Sequence, residues 1–473
     1  MTAAPTTAPA TAVAASPAER RRVLTATLVG TTVEWYDFFI YAFMASLLFN
    51  TLFFAPLGET GAALVSAASI GLSFLFRPLG AFLAGHFGDK IGRKPVLIAT
   101  LILMGAATAL IGLLPTSPEL ITFSAIALLV LRVLQGISAG GEWGGAILMA
   151  VETAPLESRN RAGAFPQLGV PFGMLIATAM LTILQTTLGK EQFAEWGWRI
   201  AFLFSIVLVI FGYMVRRMVE ESPVFKMIEE FAKKESAPIG IVFKKHWLLV
   251  ILAALVFAGD NAVGYMLVGG VVNKYASTPL DKGGMVGMDP AQVSLLLNLA
   301  ALSWAFFTYF GAYLADKWSA KKVFIIGYVL MAICAAALFP LVKMGADNPI
   351  FFVLGTCLLG IPLGFCYGPL SAWYAEIFPA SVRFSGVSIT YAIGSIIGGA
   401  FAPLIVQAIF QATKNDWVGA AVYLVGMSIV GLIGSLALRD RDGIPLGIDM
   451  EESGKWNEWK PGDPVPAGVN PVH

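Results

Sequence analysis

Six ionisable side chains sit inside runs of sequence that are otherwise apolar. Glu34 and Asp37 lie in the first such run, Arg77 in the second, Arg132 and Glu142 in the fourth and Asp260 in the seventh. Glu34 and Asp37 are three residues apart and share one face of a helix. At about 1.5 Å per helical residue they fall roughly 16–21 Å into their run, and Asp260 falls about 20 Å into its own. By the same rise, Arg77 stands about 18 Å above Asp89, and Glu142 and Arg132 stand about 15 and 30 Å above Glu152. A charge that deep in hydrocarbon costs several kcal/mol and normally lines a water-filled or ligand-binding cavity. Four acids against two bases leave an excess of negative charge, so at least one acid has to hold a proton for part of any working cycle. That is what a proton-coupled carrier requires.

Asp37 is the first candidate to carry the proton, with Arg132 as its partner until the pocket rearranges. Glu34, Glu142 and Asp260 are the alternates. The competing reading is that these groups form fixed ion pairs, and Glu142, flanked by glycines, serves equally well as a structural hydrogen-bond donor. Arg77 needs an anionic partner. Either a buried acid supplies it, or the carboxylate of a bound metabolite does, since a guanidinium fork matches a carboxylate. Arg132 and the polar Asn261 beside Asp260 are further contacts for that metabolite. The aromatic residues Trp35, Tyr36, Trp373 and Tyr374 are candidates to cradle a quaternary ammonium instead, or are ordinary packing aromatics, and Tyr367 is a further candidate contact for the substrate.

The elements that must position these residues are membrane helices. Of 473 residues, 57% are hydrophobic and 13% charged, and the mean hydropathy is +0.76. A soluble domain carries about 25% charged residues. Apolar runs of membrane-spanning length occur at about residues 23–50, 61–86, 96–114, 120–150, 162–188, 199–216, 247–273, 291–315, 323–343, 350–374, 384–411 and 417–438. The chain therefore reads as an all-α membrane protein of twelve transmembrane helices. An even count puts both termini on one side, with the loops after the even-numbered spans. That side carries most of the 31 basic residues, which makes it cytoplasmic.

Residues 1–19, rich in Ala, Thr and Pro, read as a disordered tail rather than a signal peptide. Two six-helix bundles over 20–216 and 247–438 follow, joined by a mixed-charge linker at 217–246 that forms a short surface helix or stays solvated. A cytoplasmic tail over 439–473 shows no heptad pattern. Cys334, Cys357 and Cys366 all fall in spans and frame no disulfide set.

The two bundles are related by repeated signatures. Gly85-His86-Phe87-Gly88-Asp89-Lys90-Ile91-Gly92-Arg93-Lys94 returns more loosely as Ala312 to Lys321, with Asp316-Lys317 closing the apolar run. Glu152-x-x-Pro155-x-x-x-Arg159 returns as Glu376-x-x-Pro379-x-x-x-Arg383. Asp89, Arg93, Glu152, Arg159, Asp316, Glu376 and Arg383 thus end helices at one membrane face, where ion pairs and helix-end contacts would hold that face closed. Enzyme chemistry finds no such support. Gly136-Ile137-Ser138-Ala139-Gly140 matches a nucleophile elbow but sits within a span, where its glycines suit close helix packing instead. No phosphate-binding G-x-x-x-x-G-K-[ST] loop occurs, and the three histidines are too scattered for a metal site. The sequence implies no cofactor, no metal and no nucleic-acid partner.

The twelve spans, the Gly85-to-Lys94 loop and Arg132-Val133-Leu134-Gln135-Gly136 resemble the major facilitator superfamily. Glu34-Trp35-Tyr36-Asp37-Phe38-Phe39-Ile40-Tyr41 resembles the first-span signature of its metabolite:proton symporter family. So do Phe76-Arg77-Pro78-Leu79-Gly80, Gly140-Gly141-Glu142-Trp143-Gly144-Gly145 and Glu221-Ser222-Pro223-Val224-Phe225, and Glu376-Ile377-Phe378-Pro379 extends the match into the second half. Ser319 and Ala320 stand where Gly92 and Arg93 stand in the first loop, a departure that predicts a weaker second gate. The resemblance implies two bundles rocking about a central site. It also implies uptake of a small polar metabolite with a proton across the plasma membrane, by a monomer. Family substrates are oxo- and dicarboxylates, citrate, shikimate, proline and betaine. Family osmolyte carriers often end in a long coiled coil, which this tail lacks, so an organic acid is the expected substrate. A proline or betaine importer is the alternative, ahead of an exporter or a transport-dead sensor.

Overall fold

The computed structural model describes residues 16–91, 93–218, 238–268 and 270–470, excepting the side chains of 85, 86, 88–91, 93, 238, 239 and 282. Every regular element among the described residues is a helix, joined by short loops and followed by a largely irregular tail. The first half contains α1 (Pro17–Met44), α2 (Gly58–Ile91), α3 (Arg93–Gly112), α4 (Ile121–Glu152), α5 (Arg159–Gln192) and α6 (Trp198–Arg217). The second contains α7 (Trp247–Val268), α8 (Pro290–Lys317), α9 (Ala320–Met344), α10 (Pro349–Tyr367), α11 (Arg383–Gly394) and α12 (Val418–Ala437). Short helices extend three of these: Val271–Ser277 after α7, Leu370–Ile377 after α10 and Ala402–Ala412 after α11.

Local chemistry starts the helices where the apolar runs begin. The Ser16 hydroxyl accepts from Glu19 N at 3.2 Å, with Pro17 opening α1. Asp289 caps α8 through Ala291 N and Gln292 N, and Asn348 caps α10 through Ile350 N, each followed by proline. A side-chain acceptor satisfies orphan N–H groups, and proline at the first helical position loses nothing.

By length and composition alone, 10 segments qualify as membrane-crossing among the described residues. The 62-residue segment Leu156–Arg217 holds two spans, α5 and α6, which separate near Gly189, whose φ is +74°. Helix α1 is missing from those ten because it carries Arg20, Arg21, Arg22, Glu34 and Asp37. With both adjustments the expected twelve spans are present. Two expectations fall on the segments left out: the 217–246 linker is described only at its ends, and so is the tail over 1–19.

The serine–glycine segment of α4 serves packing. A Cβ on Gly136 would collide with Ser73 O of α2, and one on Gly140 with Arg77 O. The missing side chains let α2 and α4 touch backbone to backbone, which brings Arg77 and Arg132 into one layer. The three cysteines are free.

Candidate transport pathway

Within the first half the buried charges sort into two groups. Arg132, Glu142 and Arg216 are tied down. Arg132 donates to Ser69 O at 3.2 Å, Ile70 O at 3.0 Å, Ser73 Oγ at 2.9 Å and Gln135 Oε1 at 2.7 Å, and lies 3.7 Å over the Tyr41 ring. Glu142 is paired with Arg216, which also donates to Leu97 O. These bonds knit α2 to α4, and α6 to α3 and α4.

The remaining three are not tied down. Both Asp37 carboxylate oxygens, Glu34 Oε2 and Arg77 Nε are buried without a hydrogen-bond partner. Asp37 has the Ser205 and Thr108 hydroxyls beside it. Arg77 lies within electrostatic reach of Glu34 and 4.4 Å over the Phe74 ring, with Trp35 and Tyr391 at 5.6 and 6.0 Å.

One expectation is corrected here. Arg132 does not hold Asp37: its guanidinium bonds carbonyls and a hydroxyl of α2 and the Gln135 side chain. Arg216, at the end of α6, is 6% exposed and closes a buried ion pair inside the bundle.

Between the halves lies a small cavity lined by Trp35 and Val170 from the first half and by Asp260, Asn261, Gly264, Tyr265, Val268, Trp304 and Tyr367 from the second. Its 10 Å³ holds about one water. Four of its polar atoms are buried without partners: Asp260 Oδ1, Asn261 Nδ2, Tyr265 OH and Trp304 Nε1. An orphan of this kind costs about 1–3 kcal/mol. Four around one cavity, presenting both donors and acceptors, form a site prepared for a polar ligand.

The cavity is closed on both sides. Toward the termini, Trp143 of α4 stacks on Tyr391 of α11 with ring centroids 3.7 Å apart, and Tyr391 on Phe257 of α7 at 4.3 Å. Gln167 of α5 accepts from Trp143 Nε1 at 2.9 Å and donates to Tyr367 O at 3.2 Å, crossing between halves. On the other side Phe38, Phe74 and Tyr265 meet edge to face at 5.2–5.8 Å. The hydroxyl of Thr178 on α5 bonds the side-chain oxygen of Asn298 on α8.

Of the aromatic candidates, Trp35 and Tyr367 line the cavity with Asn261, and three others do not. Tyr36 turns toward α6, where its hydroxyl donates to Ala201 O at 2.7 Å and its ring packs on Phe204. Trp373 packs within the second half on Phe324, 4.5 Å between centroids. The Tyr374 hydroxyl donates to Ala253 O at 2.5 Å, and none of the three lines the cavity.

The repeated charged signatures meet across the halves at the face that carries the termini. Arg159 Nη1 is 2.9 Å from Glu376 Oε1, and Arg383 Nη1 is 3.9 Å from Glu152 Oε1. Asp316 accepts from Asn160 N at 2.9 Å, Arg161 N at 3.3 Å and Arg161 Nε at 2.6 Å. The second-half aspartate thus sits on the N-terminus of α5 and holds an ion pair as well, despite the weaker gate expected of its loop. The corresponding side chains Asp89 and Arg93 lie outside the described residues.

The segment after α12 joins this closure. Arg159 also donates to Ile444 O at 2.8 Å and Arg383 to Leu446 O at 2.7 Å. Gly443 N reaches Glu376 at 3.4 Å, and Ser381 bonds Glu451 through N and Oγ. Ile444, Leu446 and Met450 are buried. Nothing in the tail's composition predicted this contact. Arg161, Gln167, Trp143 and Tyr391 were also missed. Trp143 was within reach, since it follows Glu142 in the glycine-flanked segment.

Two family profiles cover the chain: one described as sugar (and other) transporter matches residues 23–244, and one described as Major Facilitator Superfamily matches residues 261–462. The inner membrane metabolite transport protein YhjE of Escherichia coli is 37% identical, over 88% of this chain and 93% of that one. This chain belongs to the major facilitator superfamily. The superfamily consists of membrane transporters rather than enzymes. The shikimate transporter of E. coli is 33% identical over 89% of this chain and 94% of its own length. A putative proline/betaine transporter of Staphylococcus aureus is 31% identical over 87% of each. Among solved structures, the proton:xylose symporter XylE superposes with a TM-score of 0.70 at 19% identity, covering 89% of this chain and 95% of that chain.

Proposed function

We propose that this protein is a proton-coupled symporter that imports a small organic acid by alternating access, working as a monomer. Two bundles, 20–216 and 247–438, rock about the central cavity, and the face bearing both termini is cytoplasmic. The observation that carries the reading is the ring of unpartnered polar atoms between the halves, with Arg77, whose Nε is also without a partner, 5.6 Å over the ring of the lining residue Trp35. A carboxylate would satisfy the Arg77 guanidinium, and substrate hydroxyls or a carbonyl would satisfy Asp260 Oδ1 and Asn261 Nδ2. The family likeness to a shikimate transporter agrees with that chemistry.

Proton coupling follows from the untied acids. An unpaired buried carboxylate and a buried arginine can be satisfied by each other, by a proton or by substrate. Asp37 has no cationic partner, so a proton is the neutraliser available to it; Glu34 faces Arg77 and competes with substrate for it. Release of the termini face then requires the Arg159–Glu376, Arg383–Glu152 and Arg161–Asp316 pairs to part.

A second reading has its own observation. Trp35, Tyr265, Trp304 and Tyr367 surround the Asp260 carboxylate, and an acid within an aromatic box suits a quaternary ammonium. A putative proline/betaine transporter is among the relatives. Uptake of labelled shikimate, succinate, proline and glycine betaine into proteoliposomes, with and without an inward proton gradient, separates the two. Gradient-driven accumulation of an acid supports the first reading; accumulation of betaine alone replaces it with the second; no response to the gradient removes the proton.

A further inference from the structure

On the face opposite the termini, a second cavity of about 50 Å³ opens between the halves, and its chemistry differs from that of the central one. Its walls include Ser46 and Asn50 beyond the end of α1, Ile70 on α2, Lys274 after α7, and Gln407 on the helix after α11. Lys274 is the one charged wall residue, and no carboxylate lines the cavity. The lysine is exposed at the mouth and has no ion pair among the described residues.

The backbone places it there. Gly270 takes a left-handed φ of +76°, and a side chain at that position would strike the Ser46 hydroxyl of the opposite half. That reversal starts the Val271–Ser277 helix after α7, with Lys274 in its last turn on the seam between halves. Two amides complete the wall. Gln407 faces the seam from the second half and Asn50 from the first, and the NH2 groups of both amides are donors an anion can use. Beneath the floor, Arg132 donates to Ile70 O and Ser69 O, so a second fixed positive charge underlies the cavity. Two stacked cations with neutral amides and no acid attract an anion and repel a quaternary ammonium.

We propose that Lys274, with the Asn50 and Gln407 amides, forms an entry station that captures the substrate carboxylate before it reaches the central cavity. The station rests on the organic-acid reading above, and it selects anions at the mouth while Asp260 and Asn261 read the rest of the molecule inside.

The test is uptake of labelled shikimate, succinate and proline by the full-length protein in proteoliposomes with an inward proton gradient. Wild type, Lys274→Gln and Lys274→Arg are compared at low and high salt, with folded protein measured by size exclusion. Electrostatic capture is worth on the order of tenfold in encounter. Lys274→Gln should therefore raise KM for the transported acid about tenfold at low salt with kcat unchanged, and Lys274→Arg should restore it. High salt should shrink the difference, because an exposed charge is screened beyond about 3 Å at 1 M. A wild type that carries an acid while Lys274→Gln keeps its KM, or loses only kcat, overturns the station and spares the organic-acid reading. A wild type that carries proline and neither acid overturns both.

Discussion

The two halves share a helical plan but not a distribution of charge. The interior of the first holds Glu34, Asp37, Arg77, Arg132, Glu142 and Arg216, while Asp260 is the one acid at comparable depth among the described residues of the second. The second half instead supplies Phe257, Tyr265, Trp304, Tyr367 and Tyr391 to the seam, and several of its helices break near it, as α1 also does in a widened turn over Ala45–Phe49. Helix α7 stops before Gly270, α10 stops at Gly368 and Pro369, and α11 passes through a widened turn over Ser395–Ala400. Charges inside a bundle are costly to leave unpaired, so the first half is cross-tied by Arg132 and by the Glu142–Arg216 pair. Aromatic faces tolerate sliding at little cost, and broken helices concentrate bending. The first half thus carries most of the buried charge together with its cross-ties, and the second the aromatic faces that meet at the seam.

The sharpest way to break this comparison is to neutralise Asp37, the untied acid of the first half that has no arginine beside it. Asp37→Asn should abolish gradient-driven accumulation while sparing substrate exchange, because the variant keeps the shape of the site but cannot take a proton. Undiminished accumulation of labelled substrate in that variant would move the proton to Glu34 or Asp260, and with Asp260 into the second half.

Next in size is the cross-tie itself. Removing one member of a buried ion pair leaves the other uncompensated and costs about 3–5 kcal/mol. Arg216→Ala should lower the yield of folded, monodisperse protein and its melting temperature, whereas Arg216→Ala with Glu142→Gln should recover much of the loss. Equal instability of single and double variants would show that Arg216 acts through Leu97 O and its packing against Gly30.

Arg77 tests the border between the halves. Arg77→Lys keeps the charge near Glu34 but loses the planar fork. With charge-assisted bonds worth about 1.5–3 kcal/mol, binding of the transported acid should weaken by roughly ten- to hundredfold at nearly normal protein yield. Wild-type affinity by calorimetry would make Arg77 a partner of Glu34 alone.

The reach of sequence reasoning followed the same division. Depth along a helix and the repeat of Glu152 and Arg159 in Glu376 and Arg383 are one-dimensional facts, and they pointed to Arg159, Glu376, Glu152, Arg383 and Asp316, which meet partners across the halves, and to Asp260, which lines the cavity. What they lacked was azimuth. Asp37 and Arg132 are both deep, yet α4 turns Arg132 toward carbonyls of α2, and no spacing rule announces a guanidinium's preference for Ser69 O and Ile70 O. Trp35 and Tyr36 are neighbours in sequence and about 100° apart on the helix, so only one can face the cavity. Tyr391 carries no charge and no motif, and its stacking on Trp143 depends on where two halves dock. The tail was opaque for a related reason: its gate contacts use the carbonyls of Ile444 and Leu446, which any residue would provide.

That tail supplies the smallest effect, and the one with a pH signature. Asp442 lies next to the carbonyls that Arg159 and Arg383 hold, outside the spans. Burial first, and then the neighbouring Asp440, push its carboxyl up to about 6, against the pull of Arg159 and Lys322. The docked tail therefore favours the protonated acid. Relative to an undocked tail with an ordinary carboxylate near 3.9, docking gains its full contribution below about pH 4 and loses it as the pH rises through about 6. Since the side chain is partly solvated, the effect at neutral pH is on the order of 1 kcal/mol. Asp442→Asn should then slow hydrogen–deuterium exchange over residues 443–459 several-fold relative to wild type at pH 7.5, with the difference vanishing at pH 4. Comparing both proteins at the same pH cancels the intrinsic rate of exchange. A variant whose tail exchanges faster at pH 7.5 would mean that the attraction of Asp442 to Arg159 outweighs its burial, and that the acid strengthens the closed face instead of loosening it.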